Sequence, residues 1–291
     1  MSEASDRIRA EFKRSDDKRD AGLKTPDDIV RFDDICYGED RKWQVLDVYR
    51  PKDREGEVLP VIVSIHGGGW VYGDKERYQF YCMNLAERGF AVVNFTYRLA
   101  PDFKFPAPIE DTDLVIRWIL AHADEYRMDV KNVFAVGDSA GAHILGLYTS
   151  ILTNPDYASR FSFRAVEDFA FRAIGLNCGA YKILNQGSMN LMDDYLPDRG
   201  SDREMELICV PSHIRSNFPP VFLMTATGDF LNNQPYLMAE KLTEVQVPFI
   251  YRLYGDKNHR LGHVFHCDIR SEYAKECNDD ECNFFKSMIR Q

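Results

Sequence analysis

Two glycine-bearing strings, His66-Gly67-Gly68-Gly69-Trp70 and Gly137-Asp138-Ser139-Ala140-Gly141, each follow a short apolar run and constrain the chain more than any other feature. Pro60-Val61-Ile62-Val63-Ser64-Ile65 stands before the first, and Val133-Phe134-Ala135-Val136 before the second. Apolar, β-branched runs of this length bounded by glycine read as buried strands. After the second string, Ala140 to Leu152 is mostly apolar with small residues at its start, which reads as a helix packed on a sheet.

The two strings offer complementary chemistry. Gly137-Asp138-Ser139-Ala140-Gly141 fits the Gly-x-Ser-x-Gly elbow, in which a serine sits on a sharp strand-to-helix turn with its hydroxyl projecting. The flanking glycines are needed because side chains there would collide. The first string acts through its backbone. Without Cβ atoms, Gly67 and Gly68 can turn their amides toward a bound carbonyl, and the Ala140 amide can join them, which makes an oxyanion hole. No Gly-Lys-Ser/Thr follows, and the spacing does not fit a dinucleotide fingerprint, so a phosphate cradle is disfavoured.

With these strings the chain resembles the hormone-sensitive-lipase-like carboxylesterases of the α/β-hydrolase superfamily. The likeness extends to Val71-Tyr72-Gly73-Asp74, to Tyr97-Arg98-Leu99-Ala100-Pro101, and to Phe105-Pro106-Ala107-Pro108 with Glu110-Asp111, and it covers roughly residues 45 to 290. Ala142 departs from the glycine many members carry there, and residues 181 to 217 match nothing familiar. The resemblance implies an α/β-hydrolase fold: a mostly parallel central sheet flanked by helices, with a small cap.

A serine hydroxyl is a weak nucleophile at neutral pH, so the chemistry needs a base and an acid that orients it. Chain order in this superfamily is serine, acid, histidine. The resemblance places the acid at Asp229, after Val221-Phe222-Leu223-Met224-Thr225, and Asp256 after the next strand is its rival. Among His259, His263 and His266, the string Gly262-His263-Val264-Phe265 is similar to the family's histidine turn, which makes His263 the base and His259 the second choice. His266 is expected to begin the final helix and face elsewhere. His66 is expected to shape the hole through hydrogen bonding, Arg98 to pair with Asp111 or Glu110, and Trp70 and Tyr72 to wall the acyl or alcohol pocket.

The rest of the chain agrees with one α/β-hydrolase domain over residues 1–291. Trp43 to Tyr49, Ala91 to Thr96, Ala173 to Asn177, Val221 to Thr225 and Phe249 to Leu253 read as further strands, and Tyr78 to Arg88 and Ile109 to Tyr126 as helices. A closing helix lies in the last thirty or so residues. Residues 181–217 break this rhythm with Met189, Leu191, Met192, Tyr195, Leu196 and Pro197, and together with the charged leader, residues 1–30, they are the expected cap elements.

Net charge of −10 and a pI near 5.2 argue against nucleic acid or an anionic membrane as partner. No segment is apolar over the length a membrane span needs, and the start, Met1 to Lys24, is rich in both charges and lacks the apolar h-region of a signal peptide. Seven scattered cysteines exclude a complete disulfide framework and suit a reducing cytoplasm. Cys277 and Cys282, with Asp279, Asp280 and Glu281 between them, fit no common zinc spacing and read as an exposed helix face.

The expected activity is hydrolysis of short-chain acyl esters through an acyl-enzyme on Ser139, with no metal or organic cofactor and a small-molecule ester as the partner. A homo-oligomer is compatible with the sequence. An amide-cleaving hydrolase, a peptidase or arylformamidase, is the alternative on the same scaffold, because both reactions share a tetrahedral intermediate. A catalytically silent binding module is the other.

Overall fold

The computed structural model describes residues 2–183 and 191–290. Its elements, in chain order, begin with α1 (Glu3–Asp20), β1 (Ile29–Cys36), β2 (Val45–Pro51), β3 (Leu59–Ile65), α2 (Lys75–Ala86), β4 (Ala91–Phe95) and α3 (Ala107–His122). β5 (Met128–Asp138), α4 (Ala140–Thr153), α5 (Pro155–Ala158) and β6 (Ile174–Asn177) follow. Three short helices, α6 (Met192–Tyr195), α7 (Asp202–Leu207) and α8 (Val210–His213), lead to β7 (Val221–Ala226), α9 (Gln234–Glu244), β8 (Phe249–Tyr254) and α10 (Glu272–Ser287).

The eight strands form one sheet in the order β1-β2-β4-β3-β5-β6-β7-β8. β1 and β2 pair antiparallel, as do β2 and β4, and every pairing from β4 to β8 is parallel. Parallel strands covered on both faces need apolar side chains on both. β3 meets that need: Val61, Val63 and Ile65 pack toward α3 and α4, while Ile62 packs on the opposite face with α2 and α10.

The order reverses beside β3, since β4 lies on one flank and β5 on the other. Open α/β sheets bind ligands at the carboxyl ends of their strands at such a switch point. Here the register pairs Ile65 with Gly137, so the two glycine strings, 71 positions apart in sequence, leave the sheet side by side.

Strand β1 was not anticipated, and its polar sequence Ile-Val-Arg-Phe-Asp-Asp-Ile-Cys explains why: it is an edge strand with little buried surface. The Cys277 and Cys282 reading needs correction. Both are buried, on the face of α10 that packs Ala274, Glu281, Phe284 and Phe285 against the sheet. His266 also departs from expectation. It lies before α10 in the turn Phe265–Cys267, fully buried and edge-on to Tyr81 at 5.1 Å.

Candidate active site

Ser139 adopts φ 53° and ψ −115°, a conformation rare for a residue with a side chain. The surroundings hold it there. Its amide donates to the Asn177 carbonyl at 3.0 Å, and α4 begins at the next residue. A Cβ on Gly137 would lie 2.6 Å from the Gly141 carbonyl oxygen, and one on Gly141 would run into the Ile65 carbonyl. Both glycines are therefore required by close backbone approach. Ala140, as the first residue of α4, has an amide with no intrahelical acceptor.

The glycine loop after β3 lies against this elbow. Gly68 and Gly69 have φ 117° and 60°, and a side chain at Gly68 would meet the Tyr72 carbonyl. The expected role of Gly67 is not available to it: its amide already donates to the Tyr78 hydroxyl at 3.0 Å, and that hydroxyl donates to Asp138 at 2.8 Å. The amides of Gly68 and Gly69 have no hydrogen-bond partner among the described residues. His66 supports the loop from beneath. Its Nδ1 donates to the Gly67 carbonyl at 2.7 Å, its ring stacks on Tyr97 at 4.0 Å, and burial pushes its pKa down to about 4.

Asp229 and His263 come together across 34 residues of chain, with Nδ1 donating to Oδ1 at 2.8 Å. The carboxylate has further donors in the Leu231 amide and the Thr225 hydroxyl, each at 2.8 Å. Burial works against its ionisation, but the His263 hydrogen bond and charge, with these two donors, outweigh burial and hold the carboxyl below its usual range. The rival pair lies elsewhere. Asp256 caps its own turn by accepting the Asn258 and His259 amides at 2.6 and 2.8 Å, and His259 is exposed beside it.

Ser139, His263, Gly68 and Asp138 line one cavity of about 200 Å³. Its remaining wall includes α1, which contributes Phe12, Ser15, Asp16 and Arg19. Arg19 pairs with Asp16 at 3.0 Å, and Tyr72 donates to Asp16 at 2.9 Å. Tyr72 thus lines the cavity, whereas Trp70 does not. Its indole is buried, stacked on Tyr195 at 4.8 Å and donating to His143 at 3.3 Å. The described part of the other expected cap element packs inward as well, through Leu191, Met192, Tyr195, Leu196, Ile208 and Val210; Met189 lies outside the described residues. Arg98 pairs with both Asp111 and Glu110, at 2.9 and 3.0 Å.

Sequence reasoning missed Asp138, Tyr78 and the four α1 residues as parts of the site. Asp138 was in view inside the elbow string. A carboxylate at the end of the apolar run Val133-Phe134-Ala135-Val136, directly before the elbow serine, is the signal that could have marked it.

A mainly parallel sheet with a serine elbow after one strand, a glycine loop after its neighbour and a carboxylate-held histidine beyond the last defines an α/β-hydrolase. The chain belongs to the BD-FAE family, whose model matches residues 46–242, and the relatives and solved structures it resembles are esterases. It is 29% identical over 218 residues to a versiconal hemiacetal acetate esterase from Dothistroma septosporum, covering 69% of this chain and 66% of that protein. It is 24% identical over 242 residues to an acetyl esterase from Salmonella schwarzengrund, covering 79% and 73%. The chain thus spans about two thirds of the first relative's length. Among solved structures, esterase B from Lactobacillus rhamnosis superposes with a TM-score of 0.88 at 24% identity over 99% of this chain and 97% of that one. Among the described residues, no helix is long and apolar enough to cross a membrane.

Proposed function

We propose that this protein hydrolyses short-chain carboxylic esters through Ser139, His263 and Asp229. The observation that carries the reading is the Asp229–His263 hydrogen bond of 2.8 Å opening onto the cavity that holds the strained Ser139. His263 Nε2 takes the Ser139 proton as the hydroxyl oxygen attacks the ester carbonyl. Asp229 fixes the tautomer with the proton on Nδ1 and stabilises the imidazolium. The oxyanion is received by the Gly68 and Ala140 amides, with Gly69 as a third donor in place of Gly67. Alcohol departs with the proton from His263, and water, activated by the same ring, then releases the acid.

Cavity size supports a small acyl group. About 200 Å³ is below the roughly 300–1,000 Å³ of sites for drug-sized ligands, so each methylene beyond the wall must stay in water or displace α1. The acetate-named relatives agree with this size. In this reading residues 1–291 form one hydrolase domain, and α1 is its cap.

The test is kcat/KM across nitrophenyl esters from acetate to palmitate, beside an aryl amide series, with fluorophosphonate labelling of Ser139. A maximum between acetyl and about hexanoyl is expected, with a steep fall past about ten carbons. Absent labelling of Ser139, a maximum at palmitoyl, or faster cleavage of amides would overturn the reading.

A further inference from the structure

Cys178 takes no part in the acyl transfer, yet it stands against its machinery. It follows Asn177 at the end of β6 with φ 46°, and its side chain is fully buried. Its amide is tied to the Met224 carbonyl of β7 at 2.9 Å. One ligand atom each from Cys178, Asp229 and His263 lies within 4.8 Å of the other two, and no other such group of three occurs among the described residues. We propose that Cys178, Asp229 and His263 form an inhibitory site for a thiophilic divalent cation, Zn²⁺ or Cd²⁺.

The donor set argues for this class of ion. A thiolate and an imidazole favour zinc-like cations over magnesium or calcium, which prefer all-oxygen shells. One thiolate and one carboxylate also balance a charge of +2, so the occupied site is neutral where it is buried and avoids an uncompensated charge. Convergence on one point distinguishes these groups from the remaining cysteines. Cys267, for example, has His266 beside it at 3.6 Å but belongs to no such group of three among the described residues.

The Cys178 S–H bond breaks, its proton leaves to water, and the sulfur forms a bond to the metal. His263 gives the metal its Nδ1 lone pair, and the proton formerly on Nδ1 is carried on Nε2. Asp229 exchanges its hydrogen bond for a metal–oxygen bond. The released total is one proton. With Nε2 protonated, the ring cannot take the Ser139 proton, so the cation abolishes the base without occupying the substrate cavity. This inhibitory consequence rests on the function proposed above, whereas the coordination itself does not.

The full-length protein is titrated with Cd²⁺ while two signals are followed: the ultraviolet thiolate-to-cadmium charge-transfer absorbance and turnover of a nitrophenyl ester. The expected result is one Cd²⁺ per chain, a loss of about 10³-fold or more in kcat with KM changed less than about threefold, and recovery with EDTA. Cys178→Ser should retain turnover, lose the absorbance and need at least about tenfold more Cd²⁺ for inhibition. An absent band, a band persisting in Cys178→Ser, or equal inhibition of that variant overturns the proposal. Should the variant misfold, anomalous scattering from a cadmium-soaked wild-type crystal decides: a peak at Cys178 Sγ supports the site, and its absence there refutes it. A wild type that cleaves no ester but shows the band refutes the proposed function and leaves the cation site standing.

Discussion

Tyr78 and Asp138 meet at 2.8 Å, the phenol donating to the carboxylate, while the same phenol oxygen accepts the Gly67 amide at 3.0 Å. This one hydroxyl joins the glycine loop to the residue before Ser139 and fixes the separation of the two strings. Tyr78→Phe should lower kcat about tenfold or more while KM stays within about twofold, because the loop amides lose their register with the serine but the cavity walls remain. Steady-state kinetics with circular dichroism check this. Unchanged kcat in a folded variant would show that the loop needs no such tie.

Buried carboxylates give the fold an unusual pH dependence. Burial raises Glu281 to about 7, although the Asn177 amide at 2.9 Å and the Tyr81 hydroxyl at 3.3 Å both favour its ionised form. A carboxyl raised in the folded state binds more protons there than in the unfolded chain, so its contribution to stability falls as pH rises from about 4.5 to about 7. Glu281→Gln keeps an acceptor for Asn177 and removes the charge. It should stabilise the protein at pH 8 by on the order of 3 kcal/mol and by little at pH 4, read from urea denaturation at both pH values. A difference independent of pH would assign the effect to packing.

Discrimination between the histidines is expected to be sharp. His263→Ala and Asp229→Asn should each lower kcat by about 10³-fold or more, because the first deletes the base and the second favours the wrong tautomer. His259 is exposed beside Asp256, and its replacement by alanine should leave kcat within about twofold. Loss of activity in His259→Ala with retention in His263→Ala would exchange their roles.

The α1 wall should set chain length. Phe12 packs edge-on to Tyr72 at 6.0 Å and lines the cavity together with Ser139. Phe12→Ala should move the optimum toward longer acyl chains by roughly two to four methylenes, since each newly buried CH₂ gains about 0.8 kcal/mol. Chain-length profiles of kcat/KM for the two proteins measure it, and identical profiles would place the acyl group against another wall.

Much of this architecture was legible in the sequence because its causes are local. Apolar runs marked every strand except the polar edge strand β1, and the two glycine strings marked the turns that follow β3 and β5. Asp229 and His263, placed by their neighbours after β7 and β8, do come within hydrogen-bond distance. Contacts between distant segments were decided only in three dimensions. The Gly67 amide is taken by Tyr78 from α2, Trp70 turns inward because Tyr195 and His143 offer it a buried stack and an acceptor, and α1 supplies part of the cavity wall. The burial of Cys277 and Cys282 likewise depends on which face of α10 meets the sheet. A strand or a tight turn is dictated by the residues within it, whereas a side chain's hydrogen-bond partner and exposure depend on whatever the fold packs beside it.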